Sequence, residues 1–153
     1  MDQKSLEAVF EKWCKKLRIV PEWNVKLEFV TDPAWTKTGD FKIDCDDKAA
    51  ILLLNFASPK QENLEGVIVH ELMHLKLYPL DQVTESLITS NFTEGTVGYR
   101  FAYTQFFTTL EQTVAELSRC FLLEFGVDKT LSYGRCSGQK SFNDLYDGLQ
   151  ALD

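Results

Sequence analysis

Histidine is nearly absent from this chain: only two occur in 153 residues, His70 and His74. A metal or catalytic site needing three imidazoles is therefore excluded. Positive charge is also short, with 16 Lys and Arg against 23 Asp and Glu, a formal net charge of −7. Such a chain lacks the cation excess that neutralises phosphates, so a nucleic-acid partner is not expected. No apolar run approaches the roughly 18–20 residues that span a bilayer, so no membrane partner is expected either. Cys14, Cys45, Cys120 and Cys136 lie far apart with no CxxC pair, which excludes a four-cysteine zinc site of the usual spacing. The segment Met1-Asp2-Gln3-Lys4 places no basic stretch ahead of an apolar one. No secretory signal is expected, and the thiols are expected to be reduced, in a cytoplasm.

What is present suffices for a packed core. Hydrophobic residues make up 44 % and aromatics 12 %. With no internal repeat or low-complexity linker, residues 1–153 read as a single domain. Leu6, Val9, Phe10, Trp13, Leu17 and Ile19 recur at near-helical spacing and predict an amphipathic helix over 4–17. Residues 24–30 (NVKLEFV) alternate polar and apolar as a half-buried strand does. A short strand and turn are expected around Asp40–Asp44, and AAILLLN at 49–55 reads as the most buried strand.

Ser58, Pro59 and Gln61 carry a capping-box signal, so a helix is expected from there to Tyr78, stopped by Pro79. Val67, Ile68, Val69, Leu72, Met73, Leu75 and Leu77 cover most of its circumference, which marks it as central. Loop is expected after Leu80, around Asn91, Gly95 and Gly98. A second long helix covers at least 108–125 and closes at Gly126, with a stripe of Leu110, Val114, Leu117, Phe121 and Phe125. Phe142 to Leu152 reads as a short amphipathic segment packing back as a helix.

Both histidines fall in His70-Glu71-Leu72-Met73-His74, an HExxH motif inside the buried helix. A spacing of i, i+4 puts two imidazoles on one face, one turn apart, within reach of a single metal ion. Glu71, roughly 100° around the helix from His70, can reach a water polarised by that metal and act as general base. Neutral imidazoles suit zinc, so Zn2+ is the expected cofactor. Left without partners, three polar side chains inside an apolar helix would each cost on the order of 2 kcal/mol or more.

The third ligand must be something other than histidine. A metzincin continuation would need Gly at 77 and His at 80, where this chain has Leu77 and Leu80. Asp81 and the carboxylates Glu85, Glu94, Glu111, Glu116 and Glu124 remain. With Leu110 at 0°, the apolar stripe of the second helix centres near 30°, Glu111 sits at about 100°, and Glu116 near 240° points to solvent. Glu124, near 320°, borders the stripe close to the helix end. Glu111 therefore ranks first, with Asp81 or Glu85 as alternatives. Glu111 also fits a capping box opened by Thr108, which would give it a purely structural role.

The HExxH helix, the preceding strand AAILLLN and the later Leu110-Glu111-Gln112-Thr113-Val114-Ala115-Glu116-Leu117 resemble a gluzincin metallopeptidase. More narrowly, they are similar to the small single-domain metallopeptidases of bacteria and their phages, and to the minigluzincins. The resemblance covers about 49–78 and 108–120. It implies an α+β, zincin-like fold with a small mixed sheet packed on a central HExxH helix and a second, glutamate-bearing helix. It also implies that AAILLLN lies at the cleft's rim and pairs with an extended peptide. His70, His74 and Glu111 would take the zinc-ligand positions and Glu71 the base position. Two departures stand out. Many gluzincins carry an acidic residue about four positions after the ligand Glu, where this chain has Ala115. No third histidine is present to hold an oxyanion; Tyr99, Arg100 and Tyr103 are the nearest candidates, each also compatible with ordinary packing.

The expected function is that of a zinc-dependent peptidase acting on a peptide or protein substrate. The alternative is a non-catalytic zincin-like module that binds zinc or a protein partner.

Overall fold

A computed structural model gives the fold for residues 1–127 and 129. It is an α+β fold of three helices and one three-stranded mixed sheet. The expected segment Phe142 to Leu152 and Cys136 lie outside the described residues. Within them, Cys14, Cys45 and Cys120 are free thiols, and no helix is long and apolar enough to cross a membrane.

Helix α1 spans Gln3–Lys16. Asp2 caps it by accepting the Ser5 N–H at 2.8 Å, and Lys15 and Lys16 sit in the last turn, where cations complement the helix dipole. Its buried face is Leu6, Phe10, Trp13 and Cys14. Strands β1 (Asn24–Val30), β2 (Gly39–Asp44) and β3 (Ala49–Asn55) follow. The sheet order is β1-β3-β2, with β1 parallel and β2 antiparallel to β3. Leu27, Leu52 and Phe41 stand in one row across it, and this face packs on the helices. Lys26, Ile51 and Lys42 form the next row on the opposite face.

AAILLLN thus becomes β3, the central strand, whose two edges are already bonded to β1 and β2. It cannot pair with a substrate as the resemblance implied. Among the described residues, the strand beside the HExxH helix with an unpaired edge is β2.

Helix α2 spans Leu64–Asn91. Its cap is Asn63, which accepts the Gly66 N–H at 2.8 Å; Ser58 instead donates its N–H to Asn55 Oδ1 in the preceding turn. The expected start at Ser58-Pro59 is therefore displaced by about a turn and a half. Nor does Pro79 stop the helix; it lies inside α2. Proline removes one bond, to the carbonyl of Leu75, and packing of the long helix along its neighbour outweighs that loss.

The neighbour is α3, Val97–Phe125, capped by Thr96 through the Tyr99 N–H. The connection needs Gly95, whose φ of 81° lies in the left-handed region. The stretch expected as loop after Leu80 is thus an α2–α3 helical hairpin. Residues 64–75 carry nearly all the buried positions of α2, packed under the sheet and α1, while the distal turns bury only Ile88. The buried positions of α3 are Leu110, Val114, Ser118 and Leu122, and the expected stripe members Leu117 and Phe125 are exposed. Gly126 follows α3 as expected, with φ −68°, so it ends the helix in extended rather than left-handed backbone.

One polar cluster ties the helices together. Glu65, fully buried in the first turn of α2, accepts from Trp13 Nε1 at 2.8 Å, Lys12 Nζ at 3.0 Å and the Val127 N–H at 2.8 Å. It joins α1 to α2 and to the chain leaving α3.

Candidate metal centre

The i, i+4 spacing on α2 places the His70 and His74 rings 4.9 Å apart, with their Nε2 atoms 3.2 Å from each other. The antiparallel packing of α3 brings Glu111 against both. Its Oε1 lies 3.2 Å from His74 Nε2 and its Oε2 lies 3.6 Å from His70 Nε2. Because α3 begins at Val97, Glu111 is mid-helix and the capping box with Thr108 does not form. The rotated buried face, from Leu110 round to Leu122, now includes the direction of Glu111, about 100° from Leu110.

Zinc bound at about 2.0–2.1 Å by four tetrahedral donors sets those donors about 3.3 Å apart. The two imidazole Nε2 atoms are 3.2 Å apart, near that spacing, and each faces a different oxygen of Glu111, His74 at 3.2 Å and His70 at 3.6 Å; with one donor atom from each residue, the three lie within 4.8 Å of one another. Two imidazoles and one carboxylate are also a donor set that zinc takes readily. Among the described residues, His70, His74 and Glu111 are the one group of possible ligands whose donor atoms all lie within 4.8 Å. The other carboxylates weighed from sequence stand apart. Glu116 has a side chain 71 % exposed and pairs with Arg119 at 3.2 Å, and Glu85 accepts from Gln82 at 3.4 Å. Asp81 and Glu124 do not join the group.

The electrostatics are those of tightly packed opposite charges. Hydrogen bonds from the His70 and His74 rings hold the Glu111 carboxyl far below the usual carboxylate range, against the opposing effect of burial. Burial alone would lower the His74 pKa, but the bond and charge of Glu111, with the charge of Glu71, raise it. Burial pushes the Glu71 carboxyl up; the two histidines pull it down, and Asp40 and Glu111 push it further up.

The Glu71 side chain lies under β2, against Gly39. A Cβ added to Gly39 would fall 2.7 Å from Glu71 Cγ and 2.7 Å from its Oε1, so only glycine lets the strand lie this close. The Asn55 N–H to Thr38 carbonyl bond fixes which β2 residues face β3. By the alternation of an antiparallel ladder, Gly39, Phe41 and Ile43 aim their main-chain groups at the free edge.

A cavity of about 330 Å3 opens on His70 and Glu111, and Gln112, Ala115, Glu116 and Arg119 complete its lining; His74 and Glu71 do not line it. Ala115 therefore sits on its wall, and no acidic group occupies that position to orient His70. Tyr99, Arg100 and Tyr103 do not line this cavity. Tyr99, Tyr103 and Phe107 stack along α3 at 5.8 and 6.3 Å, which is the packing role. Burial and the charges of Glu85, Tyr99 and Asp81 raise the Tyr103 pKa, an environment unfavourable to developing negative charge. The cation at the cavity is Arg119, which sequence reasoning missed; its signal was the spacing 111, 115, 119 along one side of α3.

No protein-family model, curated protein or solved structure matches this chain.

Proposed function

We propose that this chain binds one zinc ion through His70, His74 and Glu111 and hydrolyses peptide bonds with Glu71 as general base. The observation carrying this reading is the convergence of His70, His74 and Glu111, with one donor atom of each within 4.8 Å of the others, beside a glutamate that is not part of the group. When bound, zinc supplies a Lewis acid that lowers the pKa of a water towards about 7 and offsets charge on a carbonyl oxygen. Glu71 takes the proton of the attacking water on its carboxylate and passes it to the leaving amine nitrogen.

The peptide or protein nature of the substrate is supported by β2. Its outward main-chain groups at Gly39 and Ile43, with the Phe41 carbonyl between them, face an extended peptide beside Glu71, while the Phe41 N–H is already donated to Asp40 Oδ1 at 3.0 Å. The same reading takes the α+β arrangement as zincin-like: an HExxH helix, a glutamate helix, and a sheet whose antiparallel edge strand adjoins the base.

The test is metal analysis of protein purified without added zinc, followed by mass-spectrometric assay on a peptide mixture. Glu71→Gln keeps its zinc and loses at least about a hundredfold in hydrolysis, the scale of a lost general base. Full hydrolysis by that variant would remove the mechanism.

A further inference from the structure

Asn55 ends β3 and is fully buried, 0 % exposed. Its Nδ2 donates to the carbonyls of Trp35 at 3.1 Å and Lys37 at 2.9 Å. Its main-chain N–H donates to the Thr38 carbonyl at 3.0 Å, and its Oδ1 accepts the Ser58 N–H at 3.1 Å. A single residue thus takes up the carbonyls of 35, 37 and 38, the stretch that leads into β2. Gly39 comes next, and it is the residue whose α-carbon lies flush on the Glu71 side chain.

We propose that Asn55 is a positioning residue of the site: by pinning residues 35–38 it sets the height of Gly39 and the β2 edge over Glu71. The inference rests on Glu71 being the base and adds what holds the base and the substrate ladder in register. It acts at a distance from the metal ligands, which belong to α2 and α3 alone. The chemistry requires an amide at this position. An aspartate would set a carboxylate against two carbonyl oxygens, and an apolar side chain of similar size would leave both carbonyls without a donor. Gly39 is the second part of the device, because any side chain there would have to displace either β2 or Glu71.

The test uses the full zinc-loaded chain and two probes. Acetohydroxamate reaches only the metal, whereas a hydroxamate with a tripeptide tail must also lie along β2. Asn55→Ala should keep zinc stoichiometry and acetohydroxamate affinity, bind the tailed probe about tenfold more weakly, and exchange amides of 35–41 at least about tenfold faster. Amides of 68–75 should exchange as in the unsubstituted chain. Gly39→Ala removes none of the Asn55 donors or acceptors and disturbs the same contact from the strand side, so it should give the same split between the probes, which keeps the claim testable if Asn55→Ala does not fold. Equal weakening of both probes, no weakening of either, or faster exchange in 68–75 as well would each overturn it. A chain that binds no zinc removes the metal reading; the exchange of 35–41 against 68–75 then decides by itself whether Asn55 holds Gly39 on Glu71.

Discussion

Nε2 of His74 lies 3.2 Å from Oε1 of Glu111, across the interface between α2 and α3. Neither helix makes the site alone, since one contributes the imidazoles and the other the carboxylate. The same contact serves two chemistries. A proton on His74 makes it an ion pair, and a dication between the three donors makes it a ligand shell. In the proposed reading, proton and metal compete for one place.

That competition sets the pH dependence. The raised pKa of His74 means its imidazolium stabilises the metal-free fold below the ordinary histidine pKa, an effect lost as pH rises through the folded value. The depressed pKa of Glu111 contributes stability above the ordinary carboxylate pKa, lost only as pH falls through its folded value. Zinc requires neutral His74, so its binding strengthens over the interval in which the metal-free form weakens. The rise in Tm on adding zinc should grow from about pH 6 to about pH 8, read by circular dichroism. A rise that is constant or shrinking across that range contradicts the ligand assignment.

Removing the carboxylate separates ligand from bystander. Glu111→Ala should weaken zinc binding by two orders of magnitude or more, beyond the roughly 10–100-fold typical of outer-shell changes. Glu116→Ala, five residues on and 71 % exposed, should leave it unchanged. Competition with a chromophoric chelator measures both, and equal effects would mean that Glu111 is not a ligand.

Glu65 governs stability rather than chemistry. Glu65→Ala leaves the buried Trp13 Nε1 without that acceptor, while Lys12 and the Val127 N–H are partly open to water. The expected cost is about 1–3 kcal/mol, the range for a buried donor left unsatisfied. Glu65→Gln keeps one acceptor oxygen and should cost less. Urea unfolding followed by circular dichroism reads both, and a loss under about 1 kcal/mol for alanine would show the cluster to be dispensable.

Much of this was legible in the residues, where periodicity and chemistry were strong. NVKLEFV and AAILLLN form strands with the expected bounds, and α1 is displaced by a single residue at each end. Helix angle ranks Glu111 first with Asp81 or Glu85 left open, and the structure sets Glu111 against both histidines because the buried face of α3 is rotated towards it. Punctuation misled where tertiary contacts decided. Ser58 looked like a cap, but Asn55 claims its N–H. Pro79 looked like a stop, yet α3 runs alongside α2 past it. The rim strand was misplaced for a different reason. Hydrophobicity identifies the most buried strand, and in a three-stranded sheet that is the centre, whose edges are both used. The free edge fell to GDFKID, a weaker pattern whose one telling residue is Gly39.

The most direct measurement is X-ray absorption at the zinc edge of the protein purified without added metal. The account predicts one zinc per chain with four light-atom neighbours at about 2.0–2.1 Å, two of them imidazole nitrogens, and loss of that shell in His74→Ala. A sulfur neighbour at about 2.3 Å, or no zinc at all, would contradict it.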